Sequence, residues 1–92
     1  MAQTVLRLQI HGLVQGVGYR WAMAEQARRL NIAGWVRNRS DGSVEAVVAG
    51  APQDVERIVA WARQGPNAAV VRTVETFAAE GSFDGFEQRP TA

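Results

Sequence analysis

Hydrophobic and polar residues alternate along residues 4–10 and again along residues 43–49, the pattern of a strand that buries one face. In the first stretch, leucine and isoleucine at every second position are separated by Arg7 and Gln9. In the second stretch, valine and alanine alternate with Glu45. A Ser-Asp-Gly turn separates residues 35–38 from residues 43–49, so these two stretches predict a hairpin.

Two other stretches show the spacing of amphipathic helices. In residues 21–30, three apolar residues fall on one helical face, while glutamate, glutamine and arginine occupy the other. A second helix is predicted after Pro52, which suits a first helical turn, and the pair Gly65-Pro66 stops it. Its apolar stripe consists of Val55, Ile58, Val59 and Ala62.

The last third of the chain predicts two more strands. Apolar residues in the stretch 69–77 indicate a strand, but their spacing does not fix which face is buried, as a bulge would cause. Residues 83–89 predict a short edge strand that ends before Pro90, because proline cannot donate to a β ladder.

The order strand, helix, strand, strand, helix, strand predicts a split βαβ arrangement. The expected fold class is therefore α+β of ferredoxin-like type, with an antiparallel sheet and two helices on one face. We expect residues 1–92 to form a single domain. Since this fold hosts enzymes, metal carriers and RNA-binding modules alike, the function has to be inferred from the site.

Composition narrows the possible functions. Ten basic and nine acidic residues give a net charge of +1, too weak for non-specific attachment to nucleic acid or membrane. The absence of cysteine excludes disulfides and thiolate chemistry, and the first eleven residues contain no uninterrupted apolar run. We expect a monomeric, soluble, cytoplasmic protein without nucleic-acid or membrane partners. An RNA-binding module is disfavoured, because the strands lack the aromatic-rich basic segment of such modules.

The segment of residues 11–20 carries the clearest candidate chemistry. It joins the first strand to the first helix and holds three glycines, so its backbone N–H groups can turn inward and form a nest for an anion. Arg20 follows at the rim, where a guanidinium can bind two phosphate oxygens. The candidate phosphate-binding residues are Gln15, Gly16, Val17, Gly18, Tyr19 and Arg20. The alternative is a tight connection whose glycines only permit the bend.

Two familiar phosphate loops do not match this segment. A P-loop requires Gly-Lys-Ser/Thr, and the dinucleotide fingerprint requires a third glycine where Trp21 stands. The loop also lacks carboxylates, so we expect neither a metal nor a cofactor.

Hydrolysis of a bound phosphate compound would also need a group that directs water. Asn38 lies at the end of the second predicted strand and is the candidate for this role. An amide can position water but cannot act as a general base, so its predicted role is orientation. The alternative is a turn residue that leads into the hairpin. His11 is interpreted as structural rather than catalytic. Core or helix–sheet packing is predicted for Trp21, Trp35 and Trp61.

Residues 12–20, GLVQGVGYR, and residues 34–50, GWVRNRSDGSVEAVVAG, resemble the two signature segments of the acylphosphatases. The resemblance covers nearly the whole chain. It implies hydrolysis of acyl phosphates to a carboxylate and inorganic phosphate. It also implies that the loop amides and Arg20 bind phosphate and that Asn38 holds the attacking water. The alternative is a carbamoyl-phosphate-handling or phosphate-sensing module on the same fold.

Overall fold

The structure is a computed structural model that describes residues 3–92, so the first two residues of the predicted domain lie outside the described part. Strands and helices follow one another in the predicted order, and the short strand predicted in residues 83–89 is present at Phe86–Arg89. In chain order the elements are β1 (Thr4–Leu13), α1 (Tyr19–Arg29), β2 (Ala33–Asn38), β3 (Val44–Gly50), α2 (Pro52–Ala62), β4 (Val70–Ala78) and β5 (Phe86–Arg89).

The sheet has the strand order β4-β1-β3-β2-β5, and the predicted ferredoxin-like α+β fold is confirmed. The first four of these strands pair antiparallel, as expected. β5 instead pairs parallel with β2, with Gly34 opposite Phe86, so the complete sheet is mixed. Hydrophobic alternation does not report strand direction. The chain crosses from the β4 edge to the opposite edge before β5 begins.

Two element boundaries differ from the prediction around the glycine-rich segment. β1 continues to Leu13, because its ladder with β4 resumes after a shift in register between His11 and Gly12. This shift accounts for the irregular spacing in β4. α1 begins at Tyr19 rather than at residue 21, directly after Gly18 in the left-handed conformation. The connection between strand and helix is therefore short.

The hydrophobic core lies between the sheet and the two helices. Tyr19 is the largest fully buried side chain, with its hydroxyl donating to the carbonyl oxygen of Ala62 at 2.7 Å. Burial raises the pKa of the Tyr19 hydroxyl, which keeps it protonated and able to donate. Other members of the core are Leu8, Ile10, Val14, Met23, Val36, Val48, Ile58 and Ala62.

The three tryptophans do not share the packing role predicted for them. Trp61 is half-buried and packs against Tyr19, with 5.4 Å between the ring centroids. Trp35 lies on the side of the sheet opposite the core residue Val36, and it contacts two arginine side chains. The prediction for Trp21 is wrong, because its side chain is 62% exposed. Helical geometry explains this: Tyr19 and Met23 face the core, and Trp21 lies between them on the outer face.

The close approach of β2 and β3 requires a glycine at position 34. Its φ is +135°, and a Cβ atom there would lie 1.9 Å from the carbonyl oxygen of Val47.

We expect Gly34→Ala to lower the free energy of unfolding by about 3–5 kcal/mol, through backbone strain and overpacking. The matched control is Gly42→Ala in the hairpin turn, where φ is also positive but no atom lies within 4 Å of the added Cβ. There the expected loss is about 1 kcal/mol. Urea denaturation of both variants checks this, and equal losses would contradict it.

Candidate active site

A small cavity of about 130 Å³ opens where the segment after β1, the first turn of α1 and the ends of β2 and β5 meet. Arg20 and Asn38, the two residues with predicted catalytic roles, both line it, although they belong to different elements. The lining residues are Val14, Gly16, Gly18, Tyr19, Arg20, Trp21, Asn38 and Gln88. The fold thus brings Arg20 and Asn38 to one cavity, which is named the phosphate pocket after the phosphate site predicted for this segment.

Backbone geometry makes this pocket suitable for an anion. Gly16 and Gly18 have φ values of +73° and +78°, a region open to glycine at little cost. The first turn of α1 begins at the pocket, and within residues 3–92 no side chain caps its N–H groups and no acidic residue lies in the turn. The positive end of the helix is therefore directed toward the pocket.

Within residues 3–92 the Arg20 guanidinium forms no ion pair, whereas Arg7, Arg37 and Arg39 all pair with Glu45. Arg20 is therefore available to a ligand. Asn38 is held through its backbone, which pairs with Val44 and accepts a hydrogen bond from the N–H of Ala92 at 3.0 Å. Its position is therefore set without use of its side-chain amide.

Gln15 and Val17, both predicted phosphate-binding residues, do not line the pocket with their side chains. The Gln15 amide nitrogen donates to the carbonyl oxygens of Arg39 and Ser43, at 2.7 and 2.8 Å. These carbonyls flank the hairpin turn that follows Asn38. Gln15 therefore ties the glycine-rich segment to the hairpin, a contact between two loops that no local pattern indicates.

Sequence reasoning also missed the cluster around Glu45, whose side chain is 7% exposed. Its carboxylate accepts hydrogen bonds from Arg37 at 2.8 Å and Arg39 at 3.1 Å, and Arg7 lies 3.4 Å away. Burial alone would raise the pKa of Glu45, but hydrogen bonds and charges from Arg37 and Arg39 outweigh it and lower this pKa. The ionised carboxylate thus holds the residues on either side of Asn38.

Other residues set limits on the chemistry. His11 lies 2.9 Å from the Glu75 carboxylate and does not line the phosphate pocket. In the part of the chain that the structure describes, no cluster of three or more histidine, cysteine, aspartate or glutamate side chains could hold a metal ion. Residues 3–92 likewise contain no helix that is long and apolar enough to span a membrane. Gln88, which was not among the predicted site residues, also lines the pocket.

Comparison with known proteins identifies the family. The acylphosphatase family model matches residues 6–88. This chain belongs to the acylphosphatase family. An acylphosphatase of Albidiferax ferrireducens is 56% identical over 89 residues, covering 97% of both chains. The structure of an acylphosphatase from Coxiella burnetii superposes with a TM-score of 0.91 at 31% identity, covering 95% of this chain and 93% of that one.

A larger protein contains the same acylphosphatase fold. Full-length HypF, solved in a phosphate- and nucleotide-bound form, matches with a TM-score of 0.89 at 25% identity. The match covers 98% of this chain but 12% of HypF. The alternative of a carbamoyl-phosphate-handling module is not favoured, because the relative matched over 97% of its length is named acylphosphatase.

The depressed pKa of Glu45 predicts a pH-dependent contribution to stability. Because its pKa is lower in the folded state, this contribution is complete above the ordinary glutamate pKa of about 4.3 and is lost as the pH falls through the folded value. We expect Glu45→Gln to be less stable than the wild type near neutral pH, with a difference that shrinks in acid. Urea denaturation across this pH range measures it.

The control for this experiment is Glu87→Gln, which removes an exposed carboxylate paired with Arg89. Exposed pairs contribute little, so this variant should differ little from the wild type at each pH. A Glu45→Gln difference that does not change with pH would contradict the assignment.

Proposed function

We propose that this chain hydrolyses the carboxyl–phosphate bond of acyl phosphates in the phosphate pocket, with Arg20 binding the phosphoryl group and Asn38 positioning water. One observation carries the proposal: Arg20 and Asn38 line the same small cavity, and α1 begins at that cavity. Family membership supports the reaction, since the matched relatives are named acylphosphatases.

Phosphate binding would combine the backbone N–H groups of residues 15–19 with the Arg20 guanidinium. The side chains of Gln15 and Tyr19 are engaged elsewhere, so these two residues would contribute through their amides. Arg20 can form two parallel hydrogen bonds to phosphate oxygens, each contributing about 1.5–3 kcal/mol. Lysine lacks this planar fork.

Asn38 would hold the attacking water, because its amide offers both a donor and an acceptor but takes no proton. The water oxygen forms a bond to phosphorus while the bond between phosphorus and the acyl oxygen breaks. The carboxylate leaves with the electron pair, and a phosphate oxygen accepts the proton from water. Arg20 and the loop amides stabilise the charge that spreads over the phosphoryl oxygens.

The leaving group must depart without a proton. The described residues that line the pocket include no histidine or carboxylic acid, and the Tyr19 hydroxyl already donates to a helix carbonyl in the core. A carboxylate is a good leaving group because its conjugate acid has a pKa of about 4. An alkoxide would need a general acid. This favours acyl phosphates over alkyl phosphomonoesters.

Variants of the two residues should separate binding from turnover. We expect Arg20→Lys to lower kcat/KM at least about a hundredfold and to weaken inhibition by inorganic phosphate, because the paired hydrogen bonds are lost. We expect Asn38→Ala to lower kcat by about 10²–10³ while phosphate inhibition is retained, since one preorganised group is removed. Steady-state kinetics with acetyl phosphate, with phosphate as the inhibitor, measures both. Full activity of Arg20→Lys, or loss of phosphate inhibition in Asn38→Ala, would contradict these roles.

The substrate preference tests the reaction itself. At equal concentration we expect rapid phosphate release from acetyl or benzoyl phosphate and negligible release from glycerol phosphate, because only the acyl phosphates release a weakly basic group. Phosphate release corrected for spontaneous hydrolysis is the measurement. Comparable rates on both classes would reveal a general acid, and His11→Ala would then be the first variant to examine.

A further inference from the structure

Trp21 is an exposed aromatic side chain beside the phosphate pocket. It follows Arg20 in the first turn of α1, lines the pocket and is 62% exposed. Single exposed hydrophobic residues are common on protein surfaces and need no explanation by themselves. The position of Trp21 becomes informative because a second cavity begins at the same side chain.

This second cavity has a volume of about 190 Å³ and is called the α1 groove. Apolar groups along it come from both helical segments: Trp21 and Ala22 from α1, with Trp61 and Pro66 from α2 and the turn after it. Polar side chains of α1 complete its lining, namely Glu25, Gln26 and Arg29. The Trp61 ring packs against the buried ring of Tyr19, and this contact holds that part of the groove in place.

Trp21 therefore separates two neighbouring spaces with different chemistry. One is the phosphate pocket, which contains Arg20 and Asn38, and the other is the partly apolar groove. In an acyl phosphate one oxygen joins the phosphoryl group to the acyl carbon, so the acyl group must cross the rim of the pocket. Gln88 offers a polar amide at this rim, whereas Trp21 offers a flat apolar surface.

We propose that Trp21 and the α1 groove form an acyl-binding subsite that favours substrates with a flat apolar acyl group, in particular aroyl phosphates such as benzoyl phosphate. The proposal rests on the function proposed above, because it assumes that the phosphoryl group occupies the phosphate pocket. Offset or edge-to-face contact between the acyl ring and the indole would supply the preference. Since the ring lies away from the reacting atoms, its contact would lower KM and leave kcat nearly unchanged.

Phosphonates that cannot be hydrolysed test this subsite by binding alone. The probes are benzylphosphonate and methylphosphonate, titrated calorimetrically into the wild type and into Trp21→Ala, Trp21→Phe, Phe77→Ala and Arg20→Ala. We expect the wild type to bind benzylphosphonate about five- to tenfold more tightly than methylphosphonate, the range of one aromatic contact. Trp21→Ala should bring this ratio close to one, and Trp21→Phe should preserve most of it.

Phe77→Ala is the matched control, because Phe77 is another exposed aromatic residue but contacts Arg7 on β1 and does not line either cavity. Its ratio should equal that of the wild type. A parallel kinetic measurement should show a raised KM for benzoyl phosphate in Trp21→Ala, with a smaller change for acetyl phosphate.

The outcomes separate the two proposals. An unchanged ratio in Trp21→Ala, or equal weakening of both phosphonates, would overturn the acyl subsite while leaving the phosphate pocket intact. Methylphosphonate binding that is the same in Arg20→Ala as in the wild type would contradict the phosphate pocket, and with it the acyl subsite.

Discussion

Burial of the Tyr19 side chain fixes the start of α1, and the geometry of the phosphate pocket depends on that start. The ring is fully buried and packs against Trp61, and its hydroxyl donates a hydrogen bond to the Ala62 carbonyl oxygen. Its neighbours in the chain are Gly18, whose left-handed backbone begins the helix, and Arg20, which lines the pocket. A side chain directed into the core thus orients backbone N–H groups and a guanidinium at the surface.

The hairpin side of the pocket is fixed in a comparable way. Gln15 connects the glycine-rich segment to carbonyls on either side of the hairpin turn, and Glu45 holds Arg37 and Arg39, the neighbours of Asn38. Each of these polar groups is satisfied by its own partners, and within residues 3–92 none of these contacts uses the Asn38 side-chain amide. Preorganisation of this kind suits a reaction that requires position and electrostatic stabilisation rather than an acid or a base.

The order of elements and the ferredoxin-like fold could be predicted from periodicity and turn residues, because β1 and α2 each bury one regular face and a Ser-Asp-Gly turn marks the hairpin. The parallel pairing of β5 could not, since a strand of four residues carries no signal of direction. Contrary to the half-buried strand that its alternation indicates, β3 is buried on both faces, with the ion-paired Glu45 on the face opposite the core. The burial of Trp21 was also predicted wrongly. The direction of a helical side chain depends on its angular position relative to the buried residues, and Trp21 lies between Tyr19 and Met23, which both face the core.

For the site, the sequence by itself identified the candidate chemical groups: a glycine-rich segment able to present its amides, Arg20 as a candidate anion ligand and Asn38 as an amide at a strand end. Their residue types and local context are sufficient for that inference. Only the tertiary structure decided that Arg20 and Asn38 share a cavity, that Gln15 contacts the hairpin and that Trp21 borders a second groove. These relations join residues far apart in the chain. They arise from sheet register and helix packing, which no local pattern encodes.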